Sequence, residues 1–127
     1  RESAAITICK ELLIEGAKLA IFDERVSYKQ IENELQMGEN TTNNYFQEGS
    51  WTFSKDILEI TINADAIIIL TESDKFKSLD WAEISKNMRS PSWLFDTRGI
   101  VNSKEATKNN INVWSVGCGD LFKKNIY

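Results

Sequence analysis

The sequence predicts an α/β fold in which a parallel sheet lies between helices on both faces. Segments with apolar residues at helical spacing alternate with short apolar runs, a pattern typical of helices that connect parallel strands. The run Ala66–Leu70 is apolar at every position, as expected of a central strand covered on both faces. With 127 residues, 42% of them hydrophobic, the chain can build one core, so we predict a single domain over residues 1–127.

The first elements follow from apolar spacing and from residues that favour helix ends. Residues 3–15 carry apolar side chains three and four positions apart, and Gly16 follows where a left-handed helix cap is expected. The apolar segment Ala17–Phe22 then predicts a short buried strand. Ser27 is a candidate N-cap for a helix to about Met37. The segment Gly38–Ser50 is rich in Asn, Thr, Glu and Gly, which predicts a surface loop.

The middle of the chain continues the alternation. Trp51–Phe53 predicts a small strand, and Ser54 is a candidate N-cap for a helix to about Asn63. The central strand Ala66–Leu70 follows. A helix then begins at Asp80 and contains Trp81, Ile84 and Met88 at helical spacing.

The last elements are bounded by residues that end or start helices. Ser90-Pro91 ends the helix that begins at Asp80, because proline cannot continue it. Trp93–Phe95 predicts a third strand, and Ser103 is a candidate cap for a short helix. Val113–Val116 completes the predicted strands.

Polar residues follow several of these strands. Asp23, Thr71-Glu72 and Asp96 come directly after apolar runs, and Arg98 follows two residues after Asp96. In open parallel sheets, ligands bind beyond the carboxyl ends of the strands. We therefore expect any ligand site of this chain at that edge.

Arg98 is the first candidate binding residue. A guanidinium can form paired, charge-assisted hydrogen bonds with phosphate oxygens, which suits a nucleotide ligand. The alternative is an ion pair with Asp96, and the residues alone leave both interpretations open.

The other candidates have simpler interpretations. Thr71–Asp74 could bind ribose hydroxyls or a cation. Because no histidine is nearby and the segment has no metal-ligand spacing, capping of the next helix is the favoured interpretation and no metal site is predicted. Asp23 is predicted as a turn or cap residue, because no G-x-G-x-x-G motif precedes it. Cys9 and Cys118 are predicted as reduced thiols without a catalytic role, and burial on the first helix should raise the pKa of Cys9.

Composition argues against several classes of function. The net charge is -4 without a basic tract, so a nucleic-acid partner is not expected. The absence of histidine rules out nucleophile pairs that use it within this chain. The longest apolar run is far shorter than the roughly 20 residues that span a bilayer, so no membrane partner is expected. No basic segment followed by an apolar run opens the chain, and we expect a cytoplasmic location.

Five separated segments resemble one family in order and spacing. These segments are Arg1–Ser3, Glu15–Ala17, Ala64–Ala66, Thr71–Asp80 and Phe95–Arg98. Together they resemble the C-terminal, UDP-binding domain of the UDP-glucose 6-dehydrogenases, in the UDP-glucose/GDP-mannose dehydrogenase family. The resemblance covers nearly the whole chain, with residues 38–50 the least comparable part. It implies a Rossmann-like three-layer sandwich.

The resemblance also implies an activity for a larger parent protein. Enzymes of this family oxidise UDP-glucose to UDP-glucuronate and pass two hydrides to NAD through a thiohemiacetal and a thioester on a cysteine. In the family, the catalytic cysteine and the coenzyme motif lie N-terminal to this region. Neither Cys9 nor Cys118 matches the catalytic motif, so no catalytic residue is expected in this chain. The implied partners are a UDP-sugar substrate, the N-terminal domain of the same parent chain, and further copies of the parent in a homo-oligomer.

Two residues acquire binding roles by motif. The resemblance implies that Arg98 binds the sugar nucleotide and that Arg1 reaches toward NAD. Thr97 stands where the family commonly has glycine, and Ser73 where it commonly has tryptophan. If that glycine needs a positive φ, Thr97 would strain the turn or crowd the site. Two alternatives therefore stay open: a dehydrogenase for another nucleotide sugar, and a non-enzymatic nucleotide-binding or assembly domain.

Overall fold

The computed structural model describes residues 3–36, 39 and 49–116. The chain divides into two compact units, Arg1–Ile60 and Thr61–Tyr127, and each contains parallel strands and helices. The predicted α/β, Rossmann-like class is confirmed. Hydrogen bonds join the strands into a two-stranded sheet and a three-stranded sheet. Among the described residues, no helix is long and apolar enough to cross a membrane.

In its described residues, the first unit contains three helices and two strands. In chain order they are α1 (Ala4–Ile14), β1 (Lys18–Ile21), α2 (Tyr28–Leu35), β2 (Ser50–Phe53) and α3 (Ile57–Ile60). The two strands pair in parallel, from Lys18 opposite Ser50 to Ile21 opposite Phe53. Side chains of β1 alternate between exposed and half-buried, so the strand is less covered than the sequence predicts.

Local interactions fix both ends of α1 and the start of α2, and the caps predicted at Gly16 and Ser27 are confirmed. Ser3 caps α1 by accepting from the N–H of Ile6. Gly16 has a φ of 91° and donates its N–H to the carbonyl of Leu13, which closes the last turn. Ser27 and Gln30 form a reciprocal capping box at the start of α2.

A small hydrophobic core holds the first unit together. It consists of Leu13 from α1, Ile31 and Leu35 from α2, and Trp51 from β2, which is fully buried. Ile31 and Leu35 are four residues apart on one helix face, as the sequence predicts. Burying this apolar face stabilises a helix of only eight residues, which would be marginal alone.

The second unit is built on a three-stranded parallel sheet. Its elements are β3 (Ala66–Ile69), a 3₁₀ helix (Asp74–Ser78), α4 (Trp81–Asn87), β4 (Ser92–Asp96), α5 (Ser103–Lys108) and β5 (Ile111–Ser115). The strand order is β3-β4-β5. Leu94 and Val113 are register partners on one sheet face, and both are fully buried. Trp93 and Phe95 stack on the other face, with ring centroids 5.5 Å apart.

The structure corrects the position of the strand predicted as central. Ala66–Ile69 is an edge strand of its sheet, and β4 is the central one. Ile68 is 39% exposed, so this strand is not covered on both faces as predicted. A uniformly apolar run indicates a strand but contains no information about its hydrogen-bonded neighbours, which are distant in sequence.

Two predicted helix caps are also wrong, by two residues and by one. Asp56, not Ser54, accepts from the N–H of Leu58 at the start of α3, and that helix ends at Ile60 rather than near Asn63. Asn102, not Ser103, caps α5. Asp and Asn are as effective as Ser at this position, so adjacent polar residues compete for it. The predicted cap at Ser27 is confirmed, and so is the predicted helix start at Asp80, whose side chain caps α4.

Candidate functional site

The carboxyl ends of β3 and β4 are tied together by Thr97. Its backbone N–H donates to the carbonyl oxygen of Ile69 over 3.3 Å, and its Oγ1 hydroxyl donates to the same oxygen over 2.6 Å. These bonds extend the contact between the strands beyond their last paired residues. Thr97 does not have a positive φ, so the strain considered for a threonine in this turn is absent. Positive φ occurs instead at Gly99, where φ is 69°.

Asp96 organises the loop that follows β4. Its side chain is fully buried at 0% exposure. Oδ1 accepts from the backbone N–H groups of Arg98 and Gly99 at 3.0 and 2.9 Å, and Oδ2 accepts from Val101 at 2.9 Å. Both carboxylate oxygens are therefore used to hold backbone, and the loop curls around a single side chain.

Arg98 lies on this loop and reaches the loop after β3. Its Nη2 donates to Oε2 of Glu72 across 3.0 Å. The ion pair with Asp96 considered from the sequence is therefore wrong, because the Asp96 carboxylate faces the backbone N–H groups instead. The side chains of Arg98 and Glu72 are 44% and 63% exposed, so solvent and a ligand both have access to the pair.

The segment after β3 has the predicted capping role. Ser73 is the N-cap of the 3₁₀ helix, and its Oγ accepts from the N–H of Lys75 at 3.2 Å. Ser73 is buried, with 7% of its surface exposed. Asp74 pairs with Lys77 over 3.1 Å on the exposed side of this turn. Glu72, directly before the cap, is the residue of this segment that bonds to the side chain of Arg98.

Two other sequence candidates belong to the first unit and have local roles. Asp23 forms the predicted turn, with Oδ1 accepting from the N–H groups of Arg25 at 2.7 Å and Val26 at 3.2 Å. Lys55 donates to the carbonyl oxygens of Asp23 and Val26, which fixes the same turn from the other side. Cys9 packs against the core of this unit, and burial raises the pKa of its thiol, as predicted.

Arg1 and Cys118 lie outside the described residues, so the predicted contact of Arg1 with NAD stays a prediction. In residues 3–36, 39 and 49–116, no three Cys, Asp or Glu side chains are grouped so that they could hold a metal ion.

The candidate site is a cluster of four residues. The structure brings together Glu72, Thr97 and Arg98 around the buried Asp96.

Sequence reasoning missed two roles in this cluster. The loop-organising role of Asp96 had a local signal, because an aspartate followed by glycine three residues later is typical of a turn held by the carboxylate. The pairing of Glu72 with Arg98 had none, since 26 residues separate them. The cluster offers a cation on a preformed loop, an arrangement suited to binding an anionic ligand.

Comparison with known proteins assigns the chain to a family. The sequence model of the UDP-glucose/GDP-mannose dehydrogenase family, UDP binding domain, matches residues 1–103. The chain is 37% identical to UDP-glucose 6-dehydrogenase 4 of Arabidopsis thaliana. It is 36% identical to UDP-glucose 6-dehydrogenase 3 of Oryza sativa subsp. japonica and to UDP-glucose 6-dehydrogenase 1 of Glycine max.

Each of these alignments runs over 125 positions and covers 92% of this chain but 26% of the relative. The chain therefore spans about a quarter of the length of the relatives that it matches. The matched segment includes Glu72, Asp96 and Arg98. The resemblance found in the five sequence segments is confirmed, and the chain belongs to the UDP-glucose/GDP-mannose dehydrogenase family, with residues 1–103 corresponding to its UDP-binding domain.

Proposed function

We propose that this chain is the substrate-binding C-terminal domain of an NAD-dependent UDP-glucose 6-dehydrogenase. The parent protein oxidises UDP-glucose to UDP-glucuronate in two hydride transfers to NAD. The observation that carries the proposal is the match of residues 1–103 to the family's UDP-binding domain. The identity of 34% to 37% to UDP-glucose 6-dehydrogenases supports the choice of substrate.

Arg98 is the proposed substrate contact. It lies beyond the carboxyl end of a parallel strand, the edge at which sheets of this class bind ligands. Its guanidinium is 44% exposed, and Glu72 engages it through Nη2. Among the described residues, Glu72 is the only one whose side chain pairs with this guanidinium. Its other N–H groups are therefore free to donate to phosphate oxygens. Charge-assisted bonds to the diphosphate of a UDP-sugar are the chemistry that this geometry supports.

Catalysis is proposed to lie in the part of the parent that precedes this chain. The 127-residue sequence has no G-x-G-x-x-G motif, and burial makes the thiol of Cys9 a poor nucleophile. NAD, when bound, accepts the hydrides. We propose that Arg1 contacts NAD, that the parent is a cytoplasmic homo-oligomer, and that this domain docks with the N-terminal domain of the same chain.

A second candidate is a dehydrogenase for another nucleotide sugar. The family description includes GDP-mannose as well as UDP-glucose, and Thr97 and Ser73 depart from the pattern that the sequence otherwise resembles. Thr97 lies directly before the proposed contact residue, so its extra volume can affect which sugar or base fits. A non-enzymatic nucleotide-binding or assembly domain is the remaining alternative.

The test is NADH formation by the full-length parent protein. The substrates are UDP-glucose, two UDP-N-acetylhexosamines and GDP-mannose, each with NAD. The proposal expects turnover with UDP-glucose only and two NADH for each sugar consumed. Turnover with a different sugar would keep the enzyme class and replace the substrate. If the protein forms no NADH with any of the four nucleotide sugars but binds UDP in calorimetry, the non-enzymatic domain is favoured.

A further inference from the structure

We propose that Asp96 is a positioning residue for nucleotide-sugar binding, which acts by holding the loop that carries Arg98. This inference rests on the proposed function of Arg98 as the diphosphate contact. Asp96 does not need to touch the ligand, because its side chain is fully buried. Its effect on binding is transmitted by the backbone of residues 97–101.

The hydrogen bonds of Asp96 fix the loop at three points. The Oδ1 atom accepts from two consecutive N–H groups, those of Arg98 at 3.0 Å and Gly99 at 2.9 Å. Oδ2 accepts from Val101 at 2.9 Å. The N–H of Arg98 itself is among these donors, so the carboxylate fixes the backbone position from which the Arg98 side chain extends.

A carboxylate buried this completely would be costly without compensation. Burying a charge is unfavourable unless it is paired or fully hydrogen-bonded. In the described part of the chain Asp96 has no ion-pair partner within 4.0 Å, and its bonds are to backbone N–H groups. Such bonds to a charged acceptor are stronger than neutral ones. An amide or an aliphatic side chain at this position cannot replace all of them, so the loop depends on the charge.

The start of the loop is anchored to β3 and to the residue after β5, which leaves the Asp96 carboxylate to control the shape of the rest of the loop. The carbonyl oxygen of Asp96 accepts from the N–H of Val116 at 3.1 Å, and Thr97 is bonded to Ile69. Gly99 has a φ of 69°, and a Cβ added there would lie 3.2 Å from the carbonyl oxygen of Val116. The loop is therefore closely packed against the end of β5 on one side and held by Asp96 on the other.

The experiment is a double-mutant cycle in the full-length parent protein. The variants are Asp96→Asn, Arg98→Ala and the double variant. In Asp96→Asn, the side-chain carbonyl oxygen can still accept hydrogen bonds. The amide NH2 group, however, replaces the other carboxylate oxygen and faces a backbone N–H group, so the loop shifts. A misplacement of this kind should raise the KM for UDP-glucose about ten-fold with little change in kcat. In the Arg98→Ala background the same change should have no further effect on KM, because the group that it positions is already gone.

Further variants separate positioning from general loss of folding. Val113→Ala removes buried volume from the neighbouring strand and should lower thermal stability without changing KM. Gly99→Ala disturbs the same loop without altering the carboxylate, and it should also raise KM and be silent beside Arg98→Ala. The dissociation constant for UDP, measured by calorimetry on the same variants, gives the cycle without relying on turnover.

The outcomes distinguish this inference from the function on which it rests. If Arg98→Ala weakens binding while Asp96→Asn leaves it unchanged, the proposed function stands and the positioning role is overturned. The positioning role is also overturned if the effects of the two substitutions multiply in the double variant. If Arg98→Ala itself changes neither KM nor the dissociation constant, the proposed role of Arg98 fails first and the positioning role falls with it.

Discussion

The guanidinium of Arg98 and the carboxylate of Glu72 form an ion pair over 3.0 Å that links the loops after two neighbouring parallel strands. Both side chains extend into solvent, while the Asp96 side chain is fully buried. The cluster therefore combines a fixed backbone with an accessible cation. This combination suits a binding site, because preorganised groups lose less entropy when a ligand binds.

Replacing Arg98 by alanine should weaken nucleotide-sugar binding. In the full-length parent, Arg98→Ala should lower kcat/KM for UDP-glucose by about ten- to a hundred-fold, because roughly 1.5–3 kcal/mol of charge-assisted bonding is lost. Steady-state NADH formation measures the change.

The matched control for this variant is Arg89→Ala. Arg89 is another exposed arginine of the same unit, paired with Asp65 over 3.4 Å. Its removal should leave kcat/KM within about a factor of two, since an exposed ion pair contributes little. Equal losses in the two variants would mean that Arg98 acts only through net charge.

The ion pair itself should contribute little to folding. Glu72→Gln should change the free energy of unfolding by less than about 1 kcal/mol, because both side chains are exposed and screened by solvent. Urea denaturation of the 127-residue chain measures this change. Asp80→Ala is the comparison, since it removes the N-cap of α4 and should cost about 1 kcal/mol. A larger loss for Glu72→Gln than for Asp80→Ala would contradict the view that this pair serves binding rather than stability.

The elements that the sequence predicts correctly are those that adjacent side chains determine. Ser27 and Gln30 define the start of α2 within four residues, and Gly16 defines the end of α1. The position of β3 at a sheet edge depends instead on pairing with β4, whose residues lie more than 20 positions away. Apolar periodicity identifies a strand, but it does not specify its neighbours.

The candidate site, too, could be predicted from the sequence only in part. Arg98 could be placed at the carboxyl edge of the sheet because it closely follows an apolar run. Its ion-pair partner could not be identified, because the nearest carboxylate in sequence, Asp96, is turned toward backbone N–H groups. The fold decides that Glu72, after a different strand, completes the pair.

Thr97 should contribute to stability through its hydroxyl. Thr97→Val keeps the shape of the side chain but removes the bond from Oγ1 to the carbonyl of Ile69, which is 2.6 Å long. A loss of about 0.5–1.5 kcal/mol in the free energy of unfolding is expected for one such bond. Urea denaturation measures it, with Thr52→Val, at an exposed position in β2, as the control expected to be neutral. Equal losses of unfolding free energy at both positions would show that replacing threonine by valine is destabilising in general, whether or not the hydroxyl forms this bond.

The partly buried thiol of Cys9 should make stability fall at alkaline pH. Burial raises its pKa above the ordinary value of 9.0, because desolvation disfavours the thiolate. Above the pKa of the unfolded chain, the unfolded state releases this proton while the folded state retains it. The contribution of Cys9 to stability is therefore complete below that pKa and is lost as the pH rises through the interval up to the folded pKa.

The measurement compares two chains that both carry Cys118→Ser, one with Cys9 and one with Cys9→Ala. Urea denaturation across the alkaline range gives the difference in their free energies of unfolding, in which the titration of Lys and Tyr cancels. This difference should be constant near neutral pH and should shrink from about pH 8.5 upward. A constant difference at every pH would mean that the Cys9 thiol reaches solvent in the folded chain, which its packing against the core of the first unit argues against.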